Sequence, residues 1–232
     1  MREVARRVVA AEPETIVAVS PHSPRKSGAF GFWTGPTLRG SLSQFGAPDA
    51  SVNLPIDRAL SAAIKAEVNS REVTAWEISG EPLDHGALVP LWFLAEAGWQ
   101  GPAVLLSLNY LGEGGLRELG EAIAAAANKT GHRIAFLASG DMSHRLTPGA
   151  PSGFDPRARA FDQEFIELVK RGAYRELPAI DPALQDLAAE DVMDSTLIAV
   201  AATNWHAAGH EVLSYEGPFG VGYGVAVLFA RE

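Results

Sequence analysis

Hydrophobic positions along the chain change period repeatedly, and each change marks an element. Residues 2–11 place Val4, Val8 and Val9 on one side of a short helix. Thr15–Val19 (TIVAV) is a β-branched apolar run, the mark of a strand buried on both faces. Helical spacing returns at 57–69 with Leu60, Ala63, Ile64 and Val68, followed by a strand over Val73–Ile78. Gly86–Ala97 predicts an apolar helix, in which Pro90 is tolerated if it lies in the first turn. Ala103–Leu108 predicts a central strand, and 115–128 a helix with Leu116, Leu119 and Ile123 inward and Gly131 just past its end. Ile134–Ala138 predicts another buried strand. Asp155-Pro156 and Asp181-Pro182 each read as an N-cap followed by proline at the first helical position. The first of these helices carries Phe161, Phe165, Leu168 and Val169. Residues 192–207 are apolar nearly all round and predict a buried helix, and Tyr223–Phe229 closes the chain as a strand.

Strands alternating with helices predict an α/β fold: a single-domain sandwich over 1–232 whose central sheet is mixed, largely parallel and flanked by helices. The Pro/Gly-rich stretch 147–156 reads as a surface loop within that domain. In such sheets ligands gather beyond the C-terminal ends of the strands. His22 lies just past the TIVAV strand and His144 a few residues past IAFLA, so both emerge at that edge. His85 stands at the mouth of the apolar helix, after an acid and before a glycine. Glu190 opens the most apolar helix. It reads either as a simple helix start, stabilised by free backbone N–H groups, or as a metal-ligating carboxylate on a rigid element. His206 and His210 have i, i+4 spacing, but Gly209 ends the helix between them, and His132 reads as a solvated turn. Phe30, Phe32 and Trp33 follow His22 and read as pocket lining or as core.

The 232 residues are 47% hydrophobic and 20% charged, an ordinary globular balance. A formal charge of -9 is unsuited to a phosphate backbone or an anionic membrane surface. The absence of cysteine excludes disulfides, thiol catalysis and Cys-ligated zinc. No apolar run approaches the ~20 residues of a membrane helix, and the start has no signal-peptide core, so the chain is expected in the cytoplasm. Gly112-Glu113-Gly114 followed by Arg117 departs from a dinucleotide loop, and no phosphate loop, HExxH or GxSxG elbow is present.

With these motifs placed, the sequence resembles the LigB-like class III extradiol ring-cleavage dioxygenases, in the branch associated with AMMECR-type domains and sharing its fold with the Memo proteins. The resemblance rests on TIVAVSPHSP (15–24), LSQFGAP (42–48), LDHGALVPLWFL (83–94), ASGDMSHRL (138–146) and SYEGPFGVGYGVA (214–226). It implies that His22 and Glu190 ligate a metal, Fe(II) or in some relatives zinc, although the usual Glu-Cys-Gly reads Glu190-Asp191-Val192 here. It implies that His144 is the acid/base, or a metal ligand in zinc-bound relatives, and that His85 faces bound oxygen or substrate. The family's N-terminal strand, which ends in His-Pro and supplies another ligand, has no counterpart. Met1 opens directly onto the helix that normally follows, as in a start placed too late or a natural variant without that ligand.

The resemblance implies a catechol-type aromatic and O2 as substrates. It makes an AMMECR-type domain protein and a second copy of the chain candidate partners. The rival expectation is a Memo-like binding module without oxygen chemistry, and a third is a zinc-dependent hydrolase on the same ligands.

Overall fold

The computed structural model describes residues 1–110 and 112–230. In chain order the elements are α1 (Arg2–Ala10), β1 (Thr15–Ser20), β2 (Ala29–Trp33), β3 (Thr37–Leu42), β4 (Ala47–Pro55), α2 (Arg58–Asn69), β5 (Thr74–Ile78), α3 (His85–Glu96), β6 (Ala103–Ser107), α4 (Leu116–Thr130), β7 (Ile134–Ala138), α5 (Arg159–Arg171), α6 (Pro182–Ala188), α7 (Met193–Ala202), β8 (Glu211–Glu216) and β9 (Tyr223–Val227).

Five strands form the central sheet in the order β5-β2-β6-β1-β7. β1 runs parallel to β6 and β7, and β2 parallel to β5; the β2–β6 pair is antiparallel. This is the mixed, largely parallel sheet the sequence predicts. Alternate residues of β1 face opposite layers. Ile16 and Ala18 pack with Leu88, Leu91 and Leu94 of α3. Val17 and Val19 pack with Leu60 and Ile64 of α2 and Leu119 and Ile123 of α4. Burial on both faces explains why β1 and β6 are apolar without alternation. A third apolar cluster joins α5, α6 and α7 to the β8–β9 ribbon through Phe161, Phe165, Leu168 and Val200.

Several boundaries differ from the sequence reading. β2 occupies the aromatic run AFGFW, so Phe30 and Phe32 are core residues in a strand. β3 pairs with β4, and β8 with β9, in two-stranded ribbons outside the main sheet. Asp155-Pro156 does not open α5. The Asp155 carboxylate accepts the backbone N–H and guanidinium of Arg157, closing a turn, and the helix starts at Arg159. α7 stops at Ala202 rather than 207, because Asn204 and Trp205 turn left-handed and the Trp205 N–H bonds back to the Val200 carbonyl.

Pro90 lies inside α3, at its sixth residue, not in the first turn. Without an N–H it leaves the Gly86 carbonyl lacking its helical donor. Ser139 Oγ, just beyond β7, donates to that oxygen at 2.7 Å. The helix irregularity thereby ties the N-terminus of α3 to the loop after β7.

Candidate functional site

The C-terminal ends of β1, β6 and β7 lie side by side, and the loops leaving β1 and β7 carry His22 and His144 to one edge of the sheet. Asp84 assembles the first half of the site. It caps α3 by accepting the Ala87 N–H at 3.0 Å, and it also accepts Ser20 Oγ at the end of β1 and Ser23 Oγ in the loop that follows. The clamp brings His85, the first residue of α3, against His22: the rings stack with centroids 4.2 Å apart. Phe45, in the turn after β3, meets the outer side of His85 edge-on.

The second half comes from the loop after β7 and the turn between α6 and α7. Gly140 is pressed against the backbone of Asp191 and Val192. A Cβ there would stand 2.6 Å from Val192 Cα, so only glycine allows the two segments to touch. Asp141 and Asp191 then exchange bonds. The Asp191 N–H donates to the Asp141 carbonyl at 3.0 Å, and the Asp141 N–H donates to Asp191 Oδ1. Asp191 Oδ2 faces His22 Nε2 at 3.4 Å, and Asp141 Oδ2 faces His144 Nε2 at 3.7 Å. Burial raises the Asp141 carboxyl above the ordinary aspartate range and the neighbouring Asp191 charge adds to this, while His144, His22 and His85 pull the other way. His144 Nδ1 is buried with no partner among the described residues.

Three of the four site residues named from sequence therefore gather here: His22, His85 and, through Asp141, His144. Glu190 directly precedes Asp191 in the chain, but its Oε2 accepts the Met193 N–H at 2.9 Å at the start of α7. Burial raises its carboxyl to about 7, against the pull of the Met193 and Val192 N–H groups. The carboxylate that faces His22 is Asp191. Ala189, in the left-handed conformation at φ 53°, makes the turn that delivers both acids. Asp84, Asp141 and Asp191 were not singled out from sequence. Asp84 was findable as an N-cap before an apolar helix. Among the described residues, no three His, Asp or Glu side chains are grouped closely enough to hold a metal ion.

The remaining histidines lie elsewhere. His206 and His210 are not on a helix, and the two ring nitrogens of His210 meet the carbonyls of Ala207 and Lys170. His132 is not a solvated turn. It is half-buried at the opposite edge of the sheet, with Nε2 3.6 Å from Asp57 Oδ2.

Comparison with known proteins decides the family. The family described as the catalytic LigB subunit of aromatic ring-opening dioxygenase matches residues 1–226. The chain belongs to this family. Among relatives of this LigB chain, Protein CA_C1420 of Clostridium acetobutylicum is 28% identical over 236 aligned positions, covering 98% of this chain and 50% of that protein. The LigB chain thus spans about half the length of that curated relative. The crystal structure of the uncharacterized protein JW3007 from Escherichia coli K12 superimposes with a TM-score of 0.66 at 16% identity, covering 97% of this chain and 91% of that one. That likeness is one of fold. None of the described helices is long and apolar enough to cross a membrane.

Proposed function

We propose that the chain is a non-haem Fe(II) extradiol-type dioxygenase that opens a catechol-type aromatic ring with O2. One observation carries this reading. Four separate segments bring three imidazoles and two carboxylates to the strand-end edge where α/β sheets place their ligands.

The donor set suits a divalent cation. His22 and Asp191 face one another, and the crowding of Asp141 against Asp191 is a repulsion that positive charge relieves. His22 would hold the metal with a carboxylate from the 190–191 turn. Asp191 is already directed at His22, whereas Glu190 would join by leaving the Met193 N–H. Bound Fe(II) would supply open positions for both reactants and acidify a bound phenol.

The chain's own residues do the rest. His144 takes the proton of a catechol hydroxyl, a role imidazole suits near neutral pH, and Asp141 beside its Nε2 stabilises the imidazolium that forms. His85, fixed by its stack on His22, donates a hydrogen bond to negative charge developing on the substrate. Phe45 gives that side of the site an apolar wall.

One observation favours a second reading, a binding module without oxygen chemistry: no three of these donors are yet grouped for a metal. Anaerobic loading with Fe(II), followed by oxygen-electrode and absorbance measurements with a catechol panel, separates the two. The dioxygenase consumes O2 only with iron and substrate both present and yields a semialdehyde-type chromophore. The binding module does neither, and a zinc hydrolase turns over substrate without O2.

A further inference from the structure

His144 is placed by its backbone, and that backbone is held by a buried acid the reaction does not otherwise use. Asp162, on the first turn of α5, is fully buried. Its Oδ1 accepts the N–H of Ser143 at 2.8 Å, and its Oδ2 accepts the hydroxyl of Tyr215, on β8, at 2.6 Å. Ser143 is fully buried as well. The segment around it runs beside the turn entering β9: Met142 N–H donates to Gly222 O at 2.9 Å, Gly222 N–H to Ser143 O at 2.8 Å, and Leu146 N–H to Gly220 O at 3.0 Å. The His144 N–H is held by the carbonyl of Ala188, at the end of α6, at 2.9 Å. Gly222 completes the arrangement, because a Cβ at that position would collide with Asp162 Oδ2.

A buried carboxyl is costly unless its oxygens are hydrogen-bonded. Here each oxygen has one donor, and each donor comes from a different segment. α5, β8, the β9 turn and the end of α6 thus converge on two residues, Ser143 and His144. We propose that Asp162, with Tyr215 and the bare Gly222, is a positioning device for His144, fixing the Ser143 backbone so that the imidazole stays beside Asp141 and over the substrate. Asp162 touches no reactant. It acts through the Ser143 amide. The inference rests on the ring-opening reading for its kinetic consequence, but its structural content is independent of that reading.

The test uses three variants of the full chain. Asp162→Asn keeps both contacts, since its carbonyl can accept from Ser143 and its amide can donate to the Tyr215 oxygen. Tyr215→Phe removes one contact, and Asp162→Ala removes both. With Fe(II) and a catechol, Asp162→Ala lowers kcat about a hundredfold with KM within about threefold, as a misplaced catalytic group does. Tyr215→Phe gives a smaller loss of about tenfold, and Asp162→Asn restores kcat to within about threefold of the starting protein.

Hydrogen exchange at the Ser143 amide and the NMR signals of the His144 ring are read on the same variants without metal. Exchange accelerates and the ring signals shift in Tyr215→Phe and Asp162→Ala, but not in Asp162→Asn. Should Asp162→Ala fail to fold, Tyr215→Phe against Asp162→Asn decides. A folded Asp162→Ala or Tyr215→Phe with unchanged kcat, Ser143 protection and His144 signals overturns the proposal. If the starting protein shows no turnover, the ring-opening reading fails, and the exchange and ring signals still decide whether Asp162 holds His144.

Discussion

At one edge of the sheet His132 Nε2 lies 3.6 Å from Asp57 Oδ2; at the other, His22 Nε2 lies 3.4 Å from Asp191 Oδ2. The residue types and spacing are nearly the same, yet the two pairs differ in what else holds them. Asp57 is occupied: it caps α2 through the Leu60 N–H at 2.9 Å and accepts Thr15 Oγ1 at 2.6 Å, joining α2 to the first residue of β1. His132 is likewise engaged, with Nδ1 2.9 Å from Thr130 Oγ1. At the far edge the groups are gathered but not saturated. Among the described residues no hydrogen bond reaches the Asp141 carboxylate, and His144 Nδ1 has no partner. A cavity of about 590 Å³, lined by Trp33, Ile56, Arg58, Lys65 and Glu77, opens on the saturated side, so open space alone does not locate the chemistry. What separates the two histidine–aspartate groups is spare hydrogen-bonding and ligand capacity, the property the proposed chemistry needs.

The comparison breaks most readily at His144. His144→Ala is expected to lower catechol-dependent oxygen uptake by about 10²- to 10⁴-fold, with circular dichroism and melting temperature retained. His22→Ala and Asp191→Ala are each expected to weaken Fe(II) binding at least about tenfold in a metal-competition titration. If Glu190→Gln produces the loss and Asp191→Ala does not, the ligand roles of the two acids are reversed.

At the saturated edge the effects fall on stability instead. Asp57→Ala removes a helix cap and leaves Thr15 without its acceptor, costing about 2 kcal/mol in urea unfolding with oxygen uptake per folded molecule unchanged. Across at the histidine-bearing edge, Ser139→Ala deprives the Gly86 carbonyl of the donor that replaces the one missing at Pro90, costing about 1 kcal/mol with a several-fold loss of activity through His85. His132→Ala is expected to change stability by less than about 0.5 kcal/mol and activity not at all.

Much of this contrast was legible in the sequence, and the rest was hidden for physical reasons. β1 and β6 announce themselves because burial on both faces makes each a continuous apolar run, and β7, half-buried at the edge of the sheet rather than fully buried as expected, is apolar throughout as well. β2 does not, because five residues containing a central glycine carry no period; Gly31 sits there because its backbone meets Ser107 Oγ across the strand pair. β3, β4 and β8 mix polar and apolar residues in ribbons outside the main sheet, and short polar alternation resembles a loop. The histidines were findable because each follows a strand or opens a helix. Asp141 and Asp191 were not, because an aspartate in a Gly/Ser turn, or one just ahead of a helix, looks the same whether it closes a turn or faces an imidazole. Only the fold brings residues fifty positions apart into reciprocal hydrogen bonds.

On the proposed function, the unsaturated edge opens an aromatic ring with both atoms of O2. Turnover of a catechol by the Fe(II)-loaded protein under ¹⁸O₂, followed by mass spectrometry of the product trapped before exchange with water, tests it directly. Two labelled oxygens in a ring-opened product are the predicted result. A product carrying one label or none, or recovery of the intact ring from every catechol tried, contradicts it.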